Sequence, residues 1–314
     1  MKRRLIISIL LGSLSSSAAL TGASDTRAPK LAILFSGWIT GTFGFCGCKV
    51  EPNGGFPRRA TFSRQYAEDF GAPLIQVDAG SLFAPQGPDA TSINEAIFKA
   101  LEVLPVAVLN LGSEDLYLWP QLVAQEGRRT RIISTNLVPR KASLKRPDRY
   151  AILTLKPDQT GLERDLRIGF MGFVDPGRVK PNSGFRGQDP VAALAETMPE
   201  LAPQVDFVVL LADYFRRGPA EAGSLLHRIA SDNDNIYAIL TTERLYKLHK
   251  PVQINNAIIL SSIERGRQLG RLVIELDAKG QVSSYEPDVV NLDASYPDDP
   301  ELGELLRRLP GSLP

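Results

Sequence analysis

Short apolar runs recur along the chain, and most lead into a segment whose apolar positions repeat every three or four residues. Leu31 to Phe35 is the first such run, breaking at Ser36-Gly37 into a loop rich in Gly and Thr. An apolar run this short predicts a strand buried on both faces. A helix is predicted from about Arg59 to Phe70, because Ala60, Phe62, Tyr66 and Phe70 fall on one face. Leu74 to Val77 predicts a second strand, and Ser92 to Leu104 a helix turning Ile93, Ala96, Ile97, Ala100 and Leu101 inward. Ser92 and Glu95 have the spacing of a capping box. The strand Val106 to Leu109, a helix from Leu116 to Gln125 and the strand Arg131 to Ser134 follow. This β-α-β-α-β-α-β order with short links predicts parallel strands with helices packed on the sheet.

The rhythm then changes. Tyr150 to Leu155 and Leu166 to Phe173 read as strands of a hairpin, and 177–187 as a basic Gly/Pro-rich loop. Asp189 caps, and Pro190 opens, a helix running to about Glu200. Strands are predicted at Phe207 to Leu211, Ile236 to Leu240, Ala257 to Leu260 and Gly270 to Leu276, with a helix from Glu221 to Ile229. Residues 281–314 read as an acidic, Pro-rich tail ending in an amphipathic helix at Glu301 to Arg308. With no internal repeat and no low-complexity linker, the expected organisation is one domain over residues 24–280, preceded by a leader at 1–23.

Composition narrows the function classes. At 314 residues with 43% hydrophobic and 23% charged positions, the chain has material for a full core. A net charge of +1 without blocks of like charge gives no positive support for nucleic-acid binding. The start, Met1-Lys2-Arg3-Arg4 followed by apolar Leu5 to Leu20 and small Thr21-Gly22-Ala23, has the pattern of a secretory signal peptide, and predicts an extracytoplasmic (periplasmic or secreted) protein. Cleavage after Ala23 and retention as an anchor are both open; the serines inside the run favour cleavage. No later apolar stretch is long enough to cross a membrane.

The loop after the first strand collects the chemistry. Both cysteines lie there, as Cys46-Gly47-Cys48, followed by Gly54-Gly55, Pro57 and Arg58-Arg59. In an oxidising compartment the thiols have three options: a small strained disulfide, a free pair, or a soft-metal site. Gly54, Gly55, Arg58 and Arg59 at a helix start suit a small anion; the plainer reading is a tight turn with surface arginines paired to Glu68 or Asp69. The two histidines, His227 and His249, have no Cys or Asp at ligand spacing.

Several stretches together resemble the catalytic domain of secreted 5′-nucleotidases, in the calcineurin-like metallophosphoesterase superfamily. Ile33 to Gly41 is similar to that family's strand ending in Asp-x-His, and Gly54 to Thr61 to its Gly-Gly-x-x-Arg helix start. Asp78-Ala79-Gly80-Ser81 resembles its Asp-Ala-Gly-Asp, Asn110 to Asp115 falls at its Leu-Gly-Asn-His-Glu, and Ser134 to Leu137 resembles its Ser-Ala-Asn-Ile. Leu210 to Asp213 falls at its Leu-Ser-His, and Glu264 to Leu272 resembles its closing Gly-x-x-Leu-Gly strand. The resemblance implies an α/β fold, a four-layer αββα sandwich of two mixed sheets (metallo-dependent phosphatase-like), with a two-metal site.

The side chains depart from that pattern where the metals would bind. Trp38 and Thr40 stand at the first Asp and His, and Ser81 at the bridging Asp. Ser113 and Glu114 stand at the Asn and catalytic His, Asp213 at a His, and Thr241-Thr242-Glu243 at the last Gly-His-x-His. An indole is no ligand for a divalent ion, and a neutral serine bridges two of them poorly. The expectation is therefore a degenerate phosphoesterase domain with no catalytic residues, no metal site and no cofactor. It would be a binding or scaffold module for a protein or small anionic ligand. Two alternatives stay open. One is an active metal-dependent phosphoesterase or 5′-nucleotidase on a reduced carboxylate site built from Asp78, Ser81, Glu114, Asp115, Asp213 and Glu243. The other is a thiol module using Cys46 and Cys48.

Overall fold

A computed structural model describes residues 28–45, 52–124, 129–214, 221–243 and 250–310, apart from the side chains of 243 and 262–264. The leader at 1–23 lies outside the described residues. The first half runs β1 (Lys30–Ser36), α1 (Phe56–Phe70), β2 (Leu74–Asp78), α2 (Ala90–Val103), β3 (Val106–Asn110), α3 (Trp119–Ala124), β4 (Arg131–Ile133) and β5 (Leu137–Pro139). The middle runs β6 (Tyr150–Leu155), the single turn α4 (Pro157–Thr160), β7 (Leu166–Val174), β8 (Phe185–Gly187) and α5 (Pro190–Leu201). The rest comprises β9 (Phe207–Asp213), α6 (Leu225–Asp232), β10 (Ile236–Glu243), β11 (Val252–Ile254), β12 (Ala257–Ile263), β13 (Gln268–Leu276), β14 (Val282–Asn291) and α7 (Pro300–Arg308).

Two six-stranded sheets carry the fold, in the orders β14-β13-β1-β2-β3-β4 and β11-β12-β10-β9-β7-β6. In the first, β1 to β4 are parallel and β13 and β14 antiparallel; in the second, β12, β10, β9 and β7 are parallel and β11 and β6 antiparallel. Period-two alternation assigns each strand residue to one layer or the next. Along β9, Val209 and Leu211 join Leu31, Ile33 and Phe35 in the core between the sheets. Their neighbours Val208, Leu210 and Ala212 face outward against Leu194 of α5 and Leu226 and Ile229 of α6. Behind the first sheet, Ile97 and Ala100 of α2 meet Leu302 and Leu306 of α7. Helices thus cover both outer faces, giving the αββα sandwich.

Several boundaries differ from the sequence expectation. The sheet continues past residue 280: β14 pairs with β13 from Val282 to Asn291, and only Val289 stands out as an exposed large apolar residue among those described. Its alternation is weak because an edge strand buries one face at most, so its sequence reads as a polar tail. Helix α7 forms as expected. Helix α2 begins after Asp89 rather than at Ser92, whose hydroxyl donates to the Asp89 carbonyl at 3.0 Å, so no capping box forms at Ser92 and Glu95. Helix α1 starts at Phe56, with Pro57 in its first turn. Helix α6 starts at Leu225, where Ser224 accepts the His227 amide, so 221–224 is a turn. The 177–187 loop also contributes a strand, β8, paired with β5.

Candidate functional site

The parallel strands of both sheets deliver their C-terminal ends to one rim, where such folds place ligands. Asp78 ends β2, Asn110 ends β3 and Asp213 ends β9, each fully buried. The loop after β1 runs beside the loop after β2: the Trp38 amide donates to the Gly80 carbonyl and the Thr40 amide to the Ser81 carbonyl, both at 2.8 Å. Those bonds hold three non-glycine residues in the left-handed region, Trp38 at φ 51°, Thr40 at φ 48° and Ser81 at φ 57°. A β-branched or bulky side chain rarely adopts that conformation, so the rim stores local strain.

Asp78, Asp115 and Asp213 are each engaged by protein donors. Asp115 is the hub: its Oδ1 accepts the Phe83 amide, and its Oδ2 the amides of Ser81 and Gly112, all at 2.9 Å. Asp213 accepts at Oδ2 from the Ser113 amide at 2.6 Å and the Ser81 hydroxyl at 3.1 Å, and at Oδ1 from Thr242 at 3.4 Å. Asp78 accepts from the Ser36 hydroxyl at 2.6 Å and the Gly80 amide at 2.9 Å. Burial pushes Asp213 up to about 6, against the opposing Ser113 amide and Arg178 charge. Burial likewise raises Asp78, and raises Asp115 well above the usual carboxylate range.

The backbone leaves little room between these groups. A Cβ on Gly112 would lie 2.0 Å from the Ser81 nitrogen, so no other residue fits there without moving the loop. Trp38 is itself buried at 6% exposure, with the Arg265 guanidinium 6.0 Å from its ring centre. Among the described residues no three His, Cys, Asp or Glu side chains converge in a way that would hold a metal ion. A hard cation needs about six oxygen lone pairs aimed into one space. Here N–H and O–H donors already engage Asp78, Asp115 and Asp213, so part of each carboxylate's accepting capacity is taken by the protein itself.

The remaining candidates take other roles. Glu114 pairs with Arg178 at 3.0 Å and Lys180 at 3.5 Å, while Arg178 Nε also donates to the Ser113 hydroxyl at 3.1 Å. Arg58 and Arg59 are not the expected surface pair with Glu68 or Asp69, because both are buried. Arg58 donates to the carbonyls of Pro52 and Leu292 and covers the Phe45 ring at 4.2 Å. Arg59 reaches the Ser36 hydroxyl at 2.7 Å, so Ser36 links it to Asp78; its Nε and Nη2 meet no acceptor among the described residues. Burial lowers its pKa to about 10, with Asp78 opposing. Gly54 and Gly55 lead into α1 at φ 97° and 95°, and contact Gly266 and Gly44 more closely than a side chain would allow. Glu243 ends β10 and its side chain lies outside the described residues, as do Cys46, Cys48 and His249.

Sequence reasoning gave no partner to Ser36, Thr242 or Arg178, which join the cluster by hydrogen bonds to Asp78 and Arg59, to Asp213, and to Ser113 and Glu114 respectively. A serine or threonine at a strand end carries no local signal of its partner. Arg178 lay in the loop already marked as basic. Also unanticipated is an open cleft of about 630 Å³ beside the cluster. It is walled by Ser113 and Glu114, by Tyr117, Trp119 and Pro120 at the start of α3, and by the segments around Lys141 to Leu144 and Lys180 to Phe185.

This architecture is that of the calcineurin-like phosphoesterases and 5′-nucleotidases. A 5′-nucleotidase precursor from Thermus thermophilus superposes with a TM-score of 0.71 at 18% identity, covering 88% of this chain and 58% of its own. The calcineurin-like phosphoesterase YfkN from Bacillus subtilis gives 0.71 at 17% identity, over 90% of this chain and 97% of its own. The Thermus thermophilus sulfate thiohydrolase SoxB gives 0.70 at 16% identity, over 88% and 59%. The chain thus spans about three fifths of the length of the nucleotidase precursor and of SoxB. No protein-family model and no curated protein matches the sequence, and at these identities the likeness is one of fold. No helix among the described residues is long and apolar enough to cross a membrane.

Proposed function

We propose that this chain is a non-catalytic extracytoplasmic binding or scaffold module built on a phosphoesterase fold. The observation that carries the reading is the state of the rim carboxylates. Asp115 accepts three backbone amides, and Asp78 and Asp213 are closed in by Ser36, Gly80, Ser81 and Ser113. Two-metal phosphoryl chemistry requires ions to generate hydroxide and to hold the leaving oxygen. These carboxylates instead fasten the loops after β1, β2 and β3 to one another. The compartment rests on the basic and apolar pattern of residues 1–23.

The opposing reading, an active phosphoesterase on a reduced carboxylate site, draws on the closeness of Asp78, Asp115 and Asp213, since the charges of Asp78 and Asp213 both raise Asp115. Metal analysis of the purified protein, with p-nitrophenyl phosphate, bis-p-nitrophenyl phosphate and AMP assayed in added Mg, Mn or Zn, separates the two. The binding-module reading expects substoichiometric metal and no metal-dependent turnover. Turnover that needs a divalent ion and is abolished in Asp213→Asn overturns it.

A further inference from the structure

The cleft beside the closed cluster has the size and lining of a small-molecule site. At about 630 Å³ it falls within the range of roughly 300–1,000 Å³ typical of ligand pockets. One wall is apolar and aromatic, with Trp119, Pro120, Leu144 and Phe185. Trp119 is locked in place: its Nε1 donates to the Lys145 carbonyl at 2.7 Å and its ring meets Phe185 edge-on at 6.3 Å. The wall is therefore preorganised, which lowers the ordering cost of binding.

The charges on the lining are unbalanced. Two lysines, Lys141 and Lys180, face one carboxylate, Glu114, for a net of +1. Glu114 is already satisfied by Arg178 behind it and by Lys180 at 3.5 Å. Lys141 is exposed and pairs with no carboxylate among the described residues. Ser143, Asn182 and Ser183 add hydroxyl and amide groups to the lining.

Resting on the binding-module reading, we propose that this cleft binds a small organic monoanion, with its apolar or aromatic body against Trp119, Pro120 and Leu144 and its acid group between Lys141 and Lys180. Among the described residues no arginine lines the cleft, so the bidentate grip suited to a phosphate dianion is missing. A singly charged carboxylate or sulfonate matches the lysine pair better than a nucleotide does.

The test is calorimetric titration of the whole mature protein, without metal, using 1-naphthoate, the neutral naphthalene-1-methanol, 1-naphthylmethylammonium and AMP. Naphthoate is expected to bind at least about tenfold more tightly than the alcohol, the value of one charge-assisted contact. The ammonium compound should not bind, and AMP should bind more weakly than naphthoate. The surface variant Lys141→Gln/Lys180→Gln should lose at least about tenfold for naphthoate with a melting temperature within about 2 °C of wild type, and Ser143→Trp should weaken binding by placing an indole in the cleft. The proposal is overturned by equal affinity for acid and alcohol, by tighter binding of AMP, by either variant binding like wild type, or by no heat from naphthoate at millimolar concentration. Metal-dependent hydrolysis would remove the non-catalytic reading yet leave a charge-selective, metal-free titration standing, so the two failures are distinguishable.

Discussion

The strand-end cluster and the adjoining cleft share Ser113 and Glu114 as a wall, yet they are opposite environments. In the cluster, Asp78, Asp115 and Asp213 are fully buried and every one accepts from backbone or hydroxyl donors. In the cleft, Lys141 and Lys180 are exposed and held by one longer ion pair or none. A polar side chain in a fold of this type is either spent on holding loops or left available to a ligand. Here the cluster has taken the first course and the cleft the second. The contrast predicts that cluster substitutions act on stability and cleft substitutions on binding.

The largest effect is expected at Asp115. Asp115→Ala strands the amides of Ser81, Phe83 and Gly112 in a site closed to water. Each unpaired buried group costs about 1–2 kcal/mol, so a loss of about 3–5 kcal/mol is expected from urea unfolding midpoints. A loss below about 1 kcal/mol would mean that water reaches these amides, and the distinction between cluster and cleft would fail.

A smaller effect with a definite sign is expected at Asp213. Burial raises this carboxyl from 3.8 to about 6, so the fold holds its proton more tightly than the unfolded chain does. Its contribution is therefore greatest below about pH 4, falls as pH rises through about 4 to 6, and stays lost above that window. A shift of this size corresponds to roughly 2–3 kcal/mol across the window. The Arg178 charge opposes the shift, and the other partners of the carboxyl, Ser81, Ser113 and Thr242, do not titrate there. Asp213→Asn can still accept from Ser113 and Ser81 through its oxygen, and should flatten the fall between pH 4 and 6 by that amount. Parallel pH profiles of the two proteins would place Asp213 in contact with solvent instead.

The same contrast explains what the sequence disclosed. Strands β1, β2, β3, β7, β9 and β10 are short, mostly apolar runs buried on both faces, so the runs themselves mark them. Edge strand β14 and the short pair β5 and β8 bury one face or less, and read as tail and loop. At the rim, the substitutions at Trp38, Thr40, Ser81 and Ser113 are legible as departures from a familiar pattern. That Asp115 grips three amides is not, because a backbone donor has no letter in the sequence. Arg59 shows the limit most clearly: nothing in its place after a Gly-Gly turn discloses that its side chain is buried and reaches Ser36. The cleft is assembled from four segments far apart in the chain, around Pro85, Ser113 to Pro120, Lys141 to Leu144 and Lys180 to Phe185, and has no local signature at all.

The smallest expected effect tests the cleft from the stability side. Lys180 is 66% exposed at its side chain and 3.5 Å from Glu114, which also pairs with the less exposed Arg178 at 3.0 Å. An exposed ion pair of this kind contributes about 0–1 kcal/mol, and Glu114 keeps a partner when Lys180 is removed. Lys180→Ala should therefore lower the unfolding free energy from urea titration by less than about 0.5 kcal/mol, and Arg178→Ala by more, since Arg178 also holds the Ser113 hydroxyl. A double-mutant cycle pairing each cation with Glu114→Gln measures the difference directly. Equal coupling energies for Lys180 and Arg178 would place the cleft wall inside the locked cluster, and its lysine would then be a structural residue rather than one left for a ligand.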